Sequence, residues 1–84
     1  MKKFKSEINI SLREGILDVQ GKTVEHSLQA SNFTQISNVQ IGKVVRLEIE
    51  AENYDEAMTN VDKACKELIA NPIIEDYSID VEEI

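Results

Sequence analysis

"VQIGKVVRLEIEAENYDEAMTNVDKACKEL", residues 39–68, changes its hydrophobic period once, and that change decides the fold class. Up to Ala51 the odd positions Val39, Ile41, Val45, Leu47 and Ile49 are apolar, while Gln40, Arg46, Glu48 and Glu50 are polar. Side chains alternate across a strand, so this pattern predicts one buried face and one wet face. Beyond Asn53 the period lengthens: Ala57, Val61, Ala64, Cys65 and Leu68 fall on one helical face, behind Asn53 and Glu56 spaced as a capping box. Asn71-Pro72 ends that helix, because proline disfavours helical backbone in the residue before it.

Gly42-Lys43 interrupts the alternating run and admits two readings. A two-residue hairpin turn pairs Ile41 with Val44 and puts Arg46 beside Val39 on the inner face; a three-residue hairpin loop, or a bend within one long strand, keeps the odd residues together. Both stay open, which leaves the strand count at three or four.

Upstream, Phe4, Ile8, Ile10 and Leu12 alternate with polar residues as a first strand. Asp18 can cap a helix whose inner positions include Val24 and Leu28, with Asn32 as a left-handed stop before Phe33. Downstream, Tyr77, Ile79 and Val81 alternate with Ser78, Asp80 and Glu82 as a last strand. The order β-α-β-(β)-α-β predicts an α+β domain over residues 1–84: a mainly antiparallel sheet of three to four strands with two helices on one face. No repeat, low-complexity tract or Gly/Ser linker divides it.

At 84 residues such a domain buries about 60% of the surface its unfolded chain exposes, too little for a deep, self-contained active site. Residues 1–50 carry 7 Lys/Arg and 6 Asp/Glu, residues 51–84 carry 2 and 10, and the net charge is −7. Neither nucleic acid nor an anionic membrane suits that balance. Lys2, Lys3 and Lys5 precede no apolar run, so neither a signal peptide nor a membrane span is expected. A lone Cys65 cannot form an internal disulfide and fits a reducing cytoplasm.

Candidates for chemistry are few. "GILDVQGKT" (15–23) ends like a phosphate-binding P-loop, but five residues separate its glycines where that loop needs four. The acylphosphatase cradle is also echoed by Val19-Gln20-Gly21, yet Lys22, Thr23, Val24 and Glu25 follow where an arginine must clamp phosphate. Cys65 lies in an apolar stripe, where it reads as a small core hydrophobe. His26 stands alone, without the companions a zinc site requires. Glu75 and Asp76 point to opposite faces of a strand, cannot act as an acid–base pair, and read as solvated charge.

Three blocks, "LREGILDVQGKTVEHSL" (12–28), "VQIGKVVRLEIEA" (39–51) and "ANPIIEDYSID" (70–80), together resemble the PurS family, the small subunit of phosphoribosylformylglycinamidine (FGAM) synthase. Leu12, Arg13, Gly15, Ile16, Leu17, Asp18, Gln20 and Gly21 match the first family pattern. Val19 stands where proline is usual, Gln40 where arginine often precedes Gly-Lys, and Asn32 where glycine often precedes Phe. Read this way, "GILDVQGKT" is a turn and helix start.

The resemblance implies a subunit without chemistry of its own, bridging a large ATP-dependent synthase subunit and a glutaminase subunit in purine biosynthesis. ATP and magnesium then belong to the large subunit, and this chain holds no cofactor, no metal and no catalytic residue. Homodimers or homotetramers are implied, and the polar outer sheet face favours self-association through a strand edge. Arg13, Lys22, Lys43 and Arg46, basic side chains flanking the matched motifs in an acidic chain, are the candidate partner contacts. The alternative from another class is a regulatory domain of the ACT type, which shares the element order and binds small amino acids.

Overall fold

Strand β1 (Lys2–Leu12) runs through the middle of a three-stranded sheet, flanked by β2 (Lys43–Ala51) and β3 (Glu75–Glu83) in the order β2-β1-β3. The computed structural model describes residues 1–84. Both pairings are antiparallel, with Ile8 opposite Val45 on one side and Ile79 on the other. This register gathers the apolar residues of all three strands on one inner face. Ser6 occupies the remaining inner position of β1; it is buried, and its hydroxyl donates to the Asp80 carbonyl at 2.9 Å.

Helix α2 (Tyr54–Ala64) covers that face. Asn53 caps it by accepting from the Glu56 N–H at 2.8 Å, and Asp55 and Glu56 place negative charge in its first turn. Val61 and Cys65 pack with Ile8, Ile10 and Ala70, while Ala57 joins Phe4 and Ala51 in a second buried cluster. Fully burying one such side chain is worth about 1.5–3 kcal/mol, so these few contacts carry much of the domain's stability.

Two sequence expectations need correction. Leu68 does not face the core but is 87% exposed, and Ile69 packs inward instead. From Cys65 to Ile69 the helix widens into a π turn, closed by the Ala70 N–H donating to the Cys65 carbonyl at 2.9 Å. The longer turn shifts the inward position by one residue.

Residues 39–42 belong neither to a fourth strand nor to a hairpin. Pairing with β1 begins at Lys43 opposite Ile10, where Gly42 lies so close that a Cβ on it would sit 2.6 Å from the Ile10 carbonyl oxygen. Before Gly42 the backbone donors turn to carboxylates: Ile41 N–H to Asp18 Oδ2 at 2.8 Å and Val39 N–H to Glu25 Oε1 at 3.0 Å. The apolar alternation thus continues past the end of the ladder, because Val39 and Ile41 are half-buried without a strand partner.

Helix α1 (Val19–Ala30) starts at Asp18, whose Oδ1 accepts from Gly21 N–H at 2.7 Å, and ends before Asn32 at φ 74°. Among its residues only Gly21 is buried, and none belongs to either core cluster. Its contacts run to residues 36–41, where a Cβ on Gly21 would meet the Val39 carbonyl oxygen at 2.5 Å. Helix α2 alone therefore closes the inner face, and the molecule is long and thin, 53 × 26 × 14 Å.

Candidate functional site

The three sequence blocks that carry the resemblance converge on one end of the sheet. The turn after β1 lies against the loop before β3, with Arg13 N–H donating to the Ile74 carbonyl at 2.8 Å. Gly15, at φ 89°, lets this turn close. Asp18 then joins the start of α1 to the approach to β2 by accepting from both Gly21 and Ile41. These two N–H donors, Ile41 first, hold the Asp18 carboxyl below its ordinary range.

Glu75 is the second organiser of this end. Its side chain is only 12% exposed, accepts from Asn71 N–H at 2.7 Å and meets Lys43 Nζ at 3.2 Å. The Asn71 bond, followed by Lys43, lowers its pKa. The reading of Glu75 as solvated charge is thereby corrected: its strand position faces inward at the sheet end, opposite Leu12. Asp76 is exposed as expected and pairs with Arg13 Nε at 3.4 Å.

The four candidate partner contacts fall in different places. Arg13 and Lys43 both lean on the Glu75-Asp76 pair, Arg13 also reaching the Glu75 carbonyl at 3.5 Å. Lys22 is exposed on the first turn of α1 and makes no ion pair. Arg46 lies away from them on the outer sheet face, bonded to Glu7 at 3.2 Å. That face is an open, shallow depression lined by Lys5, Glu7, Arg46, Glu48, Asp80 and Glu82, with Lys3–Glu48 and Lys5–Glu82 as further exposed pairs. The exposed apolar side chains include Ile16, Leu17 and Val19 before and on α1 and Leu68 and Ile73 on either side of Ala70, with Val44 on the outer sheet face.

None of these positions assembles a nucleophile with a base. Cys65 is fully buried, and burial together with the nearby Asp62 carboxylate pushes its thiol pKa up, opposite to what a reactive thiolate needs. His26 is exposed on α1 and makes no hydrogen bond with Cys65. Tyr77 donates its hydroxyl to Asp62 at 2.7 Å, a bond that holds the phenol up at about 12 and lowers the Asp62 carboxyl. No group of three or more His, Cys, Asp or Glu side chains is placed to hold a metal ion, and no helix is long and apolar enough to cross a membrane.

Sequence reasoning missed Glu25, Glu75 and Ser6 as organising residues. A carboxylate that accepts a backbone N–H across 14 residues, as Glu25 does from Val39, has no spacing signature. For Ser6 a signal existed: it sits at an inner position of a period-two pattern otherwise apolar from Phe4 to Leu12.

The family model described as "PurS: Phosphoribosylformylglycinamidine (FGAM) synthase" matches residues 5–83. The Bacillus subtilis phosphoribosylformylglycinamidine synthase subunit PurS is 38% identical over 81 residues, spanning 96% of this chain and 95% of that one. The crystal structure of PurS from Methanocaldococcus jannaschii, 36% identical, superposes with a TM-score of 0.85 over 96% of this chain and 98% of that one. A chain in the structure of PurLQS from Thermotoga maritima, 37% identical, superposes with a TM-score of 0.86 over the full length of both. These matches give no support to the ACT-type alternative.

Proposed function

This chain belongs to the PurS family of phosphoribosylformylglycinamidine synthase, and on that premise we propose that it is a non-catalytic bridge between the synthase and glutaminase subunits. The observation that carries the reading is the full-length likeness to a chain of the Thermotoga maritima PurLQS structure. The bridge serves the amidation of formylglycinamide ribonucleotide with ammonia from glutamine. ATP and magnesium sit on the large subunit, and the chain works in the cytoplasm as a homodimer or homotetramer.

The chemistry of the residues supports this division of labour. A glutaminase needs an activated nucleophile, and the one thiol here is buried at the start of the π turn after α2 with its pKa raised. Phosphoryl transfer needs clustered cations around the phosphates. Here Arg13, Lys43 and Arg46 are each tied to a carboxylate of the same chain, and Arg46 lies on a different face from the other two. What remains is a shape: a sheet end organised by Asp18 and Glu75 that presents Lys22 and the exposed apolar side chains of Ile16, Leu17 and Val19.

The test is reconstitution from purified subunits. Omitting this chain abolishes glutamine-dependent amidine formation while leaving the reaction with added ammonia largely intact, because free ammonia bypasses the docked glutaminase. Normal glutamine-dependent rates without the chain overturn the bridging role.

A further inference from the structure

We propose that residues 19–41, helix α1 with the segment that returns to β2, form an arm that opens as a unit while the sheet and α2 stay folded, and that Asp18 is its latch. Three observations meet here. Gly21 is the one buried residue of this stretch, and neither core cluster takes a member from it. Three side-chain hydrogen bonds tie it together, Asp18 to Ile41, Glu25 to Val39, and Gln29 Nε2 donating to the Ile36 carbonyl at 3.3 Å, while its apolar Leu28, Ile36, Val39 and Ile41 are only half-buried. The Asp18–Ile41 bond joins the residues at the two ends of the excursion, so it closes the whole loop at its neck.

An element with few buried apolar contacts opens at a lower free energy than the core to which it is attached. Here the two free energies separate cleanly, because strands β1, β2 and β3, helix α2 and the π turn that leads to Ala70 complete both hydrophobic clusters without the arm. Closure is favoured by the neck bond: the folded sheet already holds Leu12 and Lys43 near each other, and Asp18 on Ile41 moves that constraint to the ends of the arm itself, shortening the loop left to order. Gly21 permits the close fit, since a side chain there would collide with both Val39 and Asp18. The proposal concerns the isolated chain and stands whether or not the subunit bridges two others.

Residue-resolved hydrogen exchange on the full chain tests it, comparing wild type with Asp18→Asn. Asparagine keeps a cap oxygen for Gly21 but turns an amide NH2 toward Ile41, where only an acceptor fits. Wild-type amides of the second and third turns of α1 should exchange at least ~10-fold faster than those of Ile8 and Ile10. Asp18→Asn should accelerate the arm a further ~10-fold, as loss of a hydrogen bond to a charged group implies, and leave β1 unchanged. Glu25→Ala, which removes the Val39 bond farther from the neck, should give the same confined acceleration if Asp18→Asn does not fold. Equal protection of arm and β1 in wild type, or a common acceleration of both in the variants, overturns the proposal.

Discussion

Lys43 Nζ lies 3.2 Å from Glu75 Oε2, so that a side chain of β2 meets one of β3 across the end of the central strand. The two partners differ in exposure: 61% of the Lys43 side chain is open to solvent but only 12% of Glu75. Charge reversal at Lys43 therefore acts on the fold as well as on any partner, because it leaves a covered carboxylate facing a like charge. Lys43→Glu should lower the melting temperature measurably, whereas Lys22→Glu, on the exposed and unpaired face of α1, should leave it unchanged. Equal melting temperatures for both variants contradict the clasp.

The π turn makes a second, sharper distinction between neighbours. Ile69→Ala removes a half-buried side chain packed against the core and should cost about 1–2 kcal/mol in urea unfolding, below the range for fully buried truncations. Leu68→Ala, at an 87% exposed position, should stay within about 0.5 kcal/mol of wild type. The reverse order of effects refutes the inward shift at Cys65–Ile69.

These neighbours also mark how far the sequence was legible. Period-two alternation identified β1, β2 and β3, and the Asn53 cap identified α2, because local patterning and tertiary burial agree there. Leu68 was misplaced because regular 3.6-residue periodicity cannot foresee a five-residue turn closed from Ala70 to Cys65. The hairpin question at Gly42 had no local answer either: the backbone donors of Val39 and Ile41 are taken by Glu25 and Asp18, whose choice depends on where α1 comes to rest. At the candidate site, the four cations are legible within the matched blocks, but only the structure separates the tied Arg13, Lys43 and Arg46 from the free Lys22.

Cys65 supplies a prediction about reactivity and stability together. Cys65→Ser buries a hydroxyl where a thiol packs against Ile8 and Val61, and should destabilise the fold by about 1 kcal/mol or more. In the wild-type protein a thiol-specific reagent should modify Cys65 only after unfolding, with a rate that rises with urea. Rapid labelling of the native chain contradicts the buried placement.

The Tyr77–Asp62 bond gives the pH dependence a definite sign. The phenol sits at about 12 in the folded chain, above its ordinary value, so its contribution is complete below the unfolded value of about 10. That contribution disappears as pH rises through about 12. The Asp62 carboxyl is shifted down, so its contribution is present above the unfolded carboxyl value and disappears as pH falls through the lower, folded one. Tyr77→Phe should remove the late phenolate rise in ultraviolet absorbance and flatten the alkaline loss of stability. A late rise that persists in Tyr77→Phe assigns it to another group.

The remaining prediction concerns the partner surface. Arg13 pairs with an Asp76 that is itself largely exposed, and Lys22 has no ion pair, so reversing either perturbs the fold little while changing the field at the organised sheet end. Arg13→Glu and Lys22→Glu should slow assembly with the synthase and glutaminase subunits, since charges at an interface rim act chiefly on association rate. The difference from wild type should be largest at low salt and shrink as ionic strength rises, because screening removes the attraction that the variants lack. Arg46→Glu is the control: it breaks the exposed Glu7 pair on the outer face, away from the sheet end that Asp18 and Glu75 organise. If Arg46→Glu alone slows assembly and the other two do not, the outer sheet face rather than the sheet end is the docking surface.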